Sequence, residues 1–199
     1  MAPTSAEENL ITGADEHEHL AAGFPVGERF HSAPVVRLAD AKPVELGHQA
    51  LADGRWRIYA FADAAHPTAS GSRLAAFCRF LAEDQASPVL AHTPAGADLD
   101  AVFDVRAVFQ QGHRELETGD LPGLLLPRKA PFGLVDYEKA FTAGRVDGPD
   151  VFEARGIDRE RGAVVVVRPD QYVAHVLPLD AHAELSAFFA RFLRAAVTA

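Results

Sequence analysis

The sequence predicts an α/β domain with a central mixed sheet of about five strands and helices on both faces. Three observations carry this expectation. Two stretches rich in aromatic and β-branched residues, Trp56 to Phe61 and Phe103 to Phe109, flank a segment whose apolar residues recur at helical spacing. A valine run within Ala163 to Arg168 is followed by Pro169-Asp170 and a second apolar stretch, Tyr172 to Leu177, the pattern of an antiparallel hairpin. The chain closes on Leu185, Phe188, Phe189, Phe192 and Leu193, which repeat on one face of a helix.

Taken in order, residues 1–22 carry few large apolar side chains and many charges, so they are expected to form a flexible acidic arm, with the folded domain spanning 23–199. The glycine- and proline-punctuated GFPVGERFHSAPVVRLAD reads as an irregular lead-in to an edge strand around Val35-Val36. Asp53-Gly54 marks a turn ahead of the first central strand. In RLAAFCRFLAED, Leu74, Phe77, Cys78 and Leu81 share one helical face. In AVFDVRAVFQ, Phe103, Val105, Ala107 and Phe109 alternate with Asp104, Arg106, Val108 and Gln110, which predicts a strand with one better-buried face. LPGLLLPRKAPFGLVDYEKAF contains three prolines and is expected to loop until a short helix near Asp136 to Ala143. Asp180 is placed to cap the final helix.

Composition narrows the function classes. A net charge of −9, from 28 acidic and 19 basic residues with no basic cluster, disfavours nucleic acid and anionic lipid. No apolar run reaches membrane-spanning length, and the acidic N-terminus lacks the basic start and apolar stretch of a secretory signal. The single cysteine, Cys78, cannot form an internal disulfide, which suits a cytoplasmic location.

The order β-α-β-α-β-β-α is that of the thioredoxin fold with an added N-terminal strand. In that fold a reactive cysteine belongs at the start of the helix after the first central strand, where the helix dipole lowers its pKa. Cys78 lies mid-helix instead, as a core thiol would, and Gly71 and Ala75 stand where a peroxidatic motif would need other residues. Asp15-Glu16-His17-Glu18-His19 could chelate a metal through His17 and His19 only if further ligands joined them, and is expected to be a solvated acidic segment. His66, His92, His113, His175 and His182 have no paired nucleophile. Ser70-Gly71-Ser72 lacks the glycine spacing of a nucleophile elbow, and no Gly-x-Gly-x-x-Gly turn offers a dinucleotide site. The residues therefore point to no catalytic, cofactor-binding or metal site.

GFPVGERFHSAP, VVRLAD, DGRWRIYAFAD and above all GAVVVVRPDQYVAHVLPLD resemble the C-terminal, thioredoxin-like dimerisation domain of the phenol hydroxylase and 3-hydroxybenzoate hydroxylase family of FAD-dependent aromatic monooxygenases. The likeness runs from about Gly23 to Leu193, and its most specific part is the turn Arg168, Pro169, Asp170 and Tyr172. The resemblance implies a non-catalytic module that makes a homodimer or docks on a flavin-bearing hydroxylase chain, with FAD and the phenolic substrate held elsewhere in the full-length family. It leaves open a piece of a longer hydroxylase or a free-standing relative. The alternatives are a thiol oxidoreductase using Cys78, a metal-dependent activity using His17 and His19, or a binder of small aromatic molecules.

Overall fold

The computed structural model describes residues 11–144 and 148–196. In chain order these form strands β1 (Pro34–Arg37), β2 (Lys42–Glu45) and β3 (Trp56–Phe61), helices α1 (Arg73–Glu83) and α2 (Pro88–His92), and strand β4 (Phe103–Phe109). Then follow β5 (Arg128–Lys129), β6 (Leu134–Val135), β7 (Ala140–Thr142), helix α3 (Val151–Ala154), β8 (Ala163–Val167), β9 (Val173–Leu177) and helix α4 (His182–Ala190). No helix among the described residues is long and apolar enough to cross a membrane.

Seven strands make one sheet in the order β2-β1-β7-β4-β3-β8-β9, and β5 and β6 form a separate two-stranded hairpin. The sheet is thus larger than the five strands expected. Strands β3, β4 and β7 run parallel, while β1, β2, β8 and β9 add antiparallel pairs around them. On one face, Ile58, Val105, Phe109, Val164 and Val166 pack under α1 and α4 through Phe77, Leu81, Leu185, Phe188 and Phe189. On the other, Tyr59, Phe61, Val108, Phe141, Val165 and Val167 are covered by Leu20, Phe24, Phe30 and Phe152, so the N-terminal segment and α3 supply the second layer.

Three sequence expectations need correction. The expected helix near Asp136 to Ala143 is extended, because Ala140–Thr142 pairs in parallel with Ala107–Phe109 of β4, and that pairing overrides the local helix propensity of Tyr137-Glu138-Lys139-Ala140. A strand of three residues is too short to show period-two alternation. Strand β4 is buried on both faces, including Asp104 and Arg106, for the electrostatic reason given below.

The third concerns the expected arm. Residues 1–10 lie outside the described residues, but 11–22 are packed rather than loose. Leu20 and Ala21 are fully buried, Ala21 bridges Ile157, and the Glu18 carboxylate accepts a hydrogen bond from Val26 N. Asp15, Glu16 and His19 face outward, and the two buried apolar residues are too few to register as periodic.

Both borders of the sheet are irregular. At β9, Val173 N donates to Glu28 O (2.8 Å), Val173 O accepts from Gly27 N (2.9 Å), and Ala174 O accepts from Gly13 N (2.7 Å). At the opposite border, β2 is short, half-exposed and contains Pro43.

Candidate functional site

A thioredoxin-like fold concentrates its chemistry where β3 ends and α1 begins, since the first N–H groups of the helix have no intrahelical partner there. Here that position is filled from within. Asp63, two residues past β3 and buried, accepts from Arg73 N through Oδ2 (3.2 Å) and from Leu74 N through Oδ1 (3.1 Å). Ser72 completes the cap, its Oγ accepting from Ala75 N (3.1 Å). A carboxylate thus occupies the place in which a redox thiolate would be stabilised. Close by, Gly162 has φ +67°, and a side chain there would run into Phe61 O, so this corner is tightly closed.

Cys78 sits a turn and a half further along α1 and is buried in the core. Burial alone pushes its thiol up to about 12, so it carries no thiolate near neutrality. Beside it, a cleft of about 310 Å³ between α1 and the 120–124 turn is lined by Pro67, Arg79, Leu99, Leu121 and Leu124. No phenylalanine lines it, whereas Phe80 and His182 line a separate cleft of about 410 Å³.

The other residues singled out in the sequence fall in separate places. His17 Nε2 lies 3.3 Å from Glu184 Oε2, whereas His19 Nδ1 lies 3.1 Å from Glu16 O, so the two imidazoles serve different partners. Among the described residues no group of three or more His, Cys, Asp or Glu is arranged to hold a metal. His175 pairs with the same Glu184, Nε2 to Oε1 3.2 Å, and burial holds its pKa below the usual histidine value.

In the hairpin, Pro169 and Asp170 are the central residues of a turn closed by Gln171 N donating to Arg168 O (2.9 Å). Arg168 grips the Asp170 carboxylate and lies over the Tyr172 ring, 5.6 Å from its centroid. Gln171 takes φ +72° and offers its carbonyl to Phe30 N (2.8 Å), which ties the lead-in segment to the turn.

At this same end of the sheet, where β3, β4 and β7 begin and opposite the corner closed by Asp63, lies a charge cluster that sequence reasoning missed. Asp104 is fully buried, and Arg57 and Arg106 project from the same face of neighbouring strands. Asp104 Oδ2 is 2.9 Å from Arg106 Nε and 3.0 Å from Arg57 Nε, the latter a close ionic contact not aligned as a hydrogen bond. Its Oδ1 accepts from Lys139 Nζ at 2.6 Å, and Lys139 also reaches Asp100 (3.1 Å) and Asp136 (3.2 Å). Arg55 joins Asp53 to Asp100 (2.8 and 2.9 Å), and Lys129 reaches Asp100 and Asp98. Burial pushes the Asp104 and Asp100 carboxyls up, but the surrounding ammonium and guanidinium groups outweigh it and hold both below the ordinary carboxylate range. The Arg57↔Asp104 register makes this possible, and it is why Asp104 and Arg106 are buried in a strand that reads as half-exposed.

The cluster anchors the β5-β6 hairpin through Lys129 and through Ala130 N, which donates to Asp98 Oδ1 (3.0 Å). That hairpin carries the most exposed large apolar side chains described: Phe132 is 84% and Leu134 68% exposed, and Tyr137 follows at 48%. On α4, by contrast, Phe188 and Phe189 are buried against Trp56 and Phe103.

Comparison with known proteins agrees with this geometry. A thiol:disulfide interchange protein from Bacteroides sp. superposes with a TM-score of 0.53 at 14% identity, covering 86% of this chain and 91% of that one, which shows the thioredoxin-like fold. The chain is 57% identical over 191 residues to 3-hydroxybenzoate 4-monooxygenase from Comamonas testosteroni, covering 94% of this chain and 29% of that protein. It is 34% identical over 192 residues to an FAD-dependent monooxygenase from Aspergillus terreus, covering 94% of this chain and 31% of that protein. It therefore spans about three-tenths of the length of the curated relatives it matches. Residues 5–197 match the phenol hydroxylase C-terminal dimerisation domain, and the chain belongs to that family.

Proposed function

We propose that this chain is the non-catalytic subunit-contact part of an FAD-dependent aromatic hydroxylase, and that it holds two hydroxylase chains together in the cytoplasm. The observation that carries the reading is the family match over residues 5–197, made on a fold whose thiol corner is closed by Asp63. The α1 N-terminus would also be the natural seat for a dinucleotide phosphate, and its N–H groups are spent on the same carboxylate. The residues present do not fit FAD at that seat, and the flavin belongs to the remaining length of such a hydroxylase. Arg168, Pro169, Asp170 and Tyr172 have a structural role, holding the β8-β9 turn against the 27–30 segment.

Light scattering over a hundredfold dilution, with a visible spectrum of the same sample, tests this. A colourless dimer is expected, as is a hydroxylase that loses its dimeric mass when its matching C-terminal domain is removed. A chain that stays monomeric at every concentration and does not bind the truncated hydroxylase would overturn the reading.

A further inference from the structure

We infer that the tip of the β5-β6 hairpin is the surface on which this chain meets a second copy of itself across a two-fold axis; this rests on the dimerisation reading above. Phe132, Leu134 and Tyr137 lie within six residues and are exposed, while the other large apolar side chains of the two cores are buried. Leu51, 67% exposed, belongs to the same end of the molecule, because its carbonyl accepts from Arg57 Nη2 (2.5 Å) within the charge cluster. Contiguous apolar surface is costly to leave in water, so a fold that keeps it in one place marks a contact.

The patch is held stiff as well as exposed. Gly133 N donates to Lys129 O (2.8 Å) and Asp136 N donates to Pro127 O (2.9 Å), which closes the hairpin on itself. Lys129 and Lys139 bolt its two ends to the buried aspartates beneath. A side chain presented on a fixed support loses little freedom on binding, which favours association.

The charge around the tip identifies a second copy as the occupant. Arg128, exposed on β5, makes a hydrogen bond to Gly133 O (3.1 Å) and has no carboxylate partner among the described residues. Asp136 and Asp98 lie at the base of the same hairpin, partly exposed. A surface with an apolar centre and both signs at its rim complements itself under two-fold rotation, each Arg128 approaching the acidic side of the other copy. A partner attracted by the overall charge of −9 would be basic, and would meet Arg128 as a like charge.

The test compares the wild-type chain with F132D/L134D and with R161S, which alters an exposed side chain at the opposite end of the sheet, just before β8. Sedimentation equilibrium should show the dimer dissociation constant raised on the order of thirtyfold or more in F132D/L134D, as for loss of a central interface residue, and unchanged in R161S. Circular dichroism melts of the variants should match wild type, since the side chains are exposed. As an independent readout, Leu134→Cys should give a covalent dimer on mild oxidation, with native Cys78 too buried to contribute background. If F132D/L134D dimerises as wild type and Leu134→Cys does not cross-link, the hairpin is not the contact, although the dimerisation reading survives. If wild type is monomeric yet binds a truncated hydroxylase, the second-copy assignment fails alone. If it is monomeric and binds nothing, both fail.

Discussion

The two ends of the parallel strands have been treated in opposite ways. Where β3 and β4 finish, a carboxylate, a serine and a glycine close the corner that in this fold can carry a reactive thiol. Where the strands begin, buried aspartates and their cations support a hairpin that leaves apolar side chains in water. The first end is closed, and the second is built to present side chains to the outside. A fold can keep its core while different ends of it carry function, because the sheet and the helices over it do not depend on which end is used.

The largest expected effect tests the support at the strand-beginning end. Asp104→Ala leaves Arg57, Arg106 and Lys139 buried without their shared anion, and urea unfolding should show a loss of about 3–5 kcal/mol, as for breaking a buried ion pair from one side. A loss below about 1 kcal/mol would mean that water reaches the cluster and that the hairpin is not rigidly held.

The pH dependence sharpens the same contrast. Asp100 and Asp104 hold their carboxylates at lower pH in the folded chain than in the unfolded one, so between the two pKa values the unfolded state binds more protons. Their contribution is therefore complete above the unfolded value near pH 4 and is lost as pH falls through the folded values. Stability measured by urea unfolding should fall below about pH 4, and Asp104→Asn should flatten that slope.

A smaller effect is expected at the closed corner. Asp63→Ala removes two acceptors from the α1 N-terminus and should cost about 1–2 kcal/mol, in the range of other lost caps. Asp63→Cys asks whether the corner can still polarise a thiol. Thiolate absorbance should titrate below the ordinary cysteine value of about 8.5, well separated from Cys78 at about 12. A thiol titrating above about 9 would show that the corner does not polarise a thiol.

Much of this architecture is legible in the amino-acid order, for identifiable reasons. Strands β3, β4, β8 and β9, helices α1 and α4, and the turn at Pro169-Asp170 are each coded by residues close together in sequence. What escapes is coded between segments. Strand β7 exists because β4 offers Ala107–Phe109 as a template, and the packing of 11–22 depends on Leu20 meeting a surface that includes Ile157. Asp104 and Arg106 read as solvent-facing because nothing local shows that Arg57 stands in register beside them. The closed corner is hidden for a like reason: Asp63 and Arg73 are ten residues apart, joined only once the strand and helix have docked. One signal was present. Phe132-Gly133-Leu134 lies outside every periodic segment, and apolar residues with no face to fill ask for a partner.

The borders of the sheet restrict how copies of this chain can meet. The start of β9 is already covered, Val173 by Gly27 and Glu28 and Ala174 by Gly13, and on the other side Pro43 removes an N–H from a short, charge-flanked strand. Both rims are therefore interrupted as templates for hydrogen-bonded growth, which works against zipping molecules into one continuous ribbon. Assembly is left to side chains, which makes it finite and reversible. Stripping away residues 11–30 would bare the main chain of Val173 and Ala174 and convert a bounded particle into a seed for fibrous stacking.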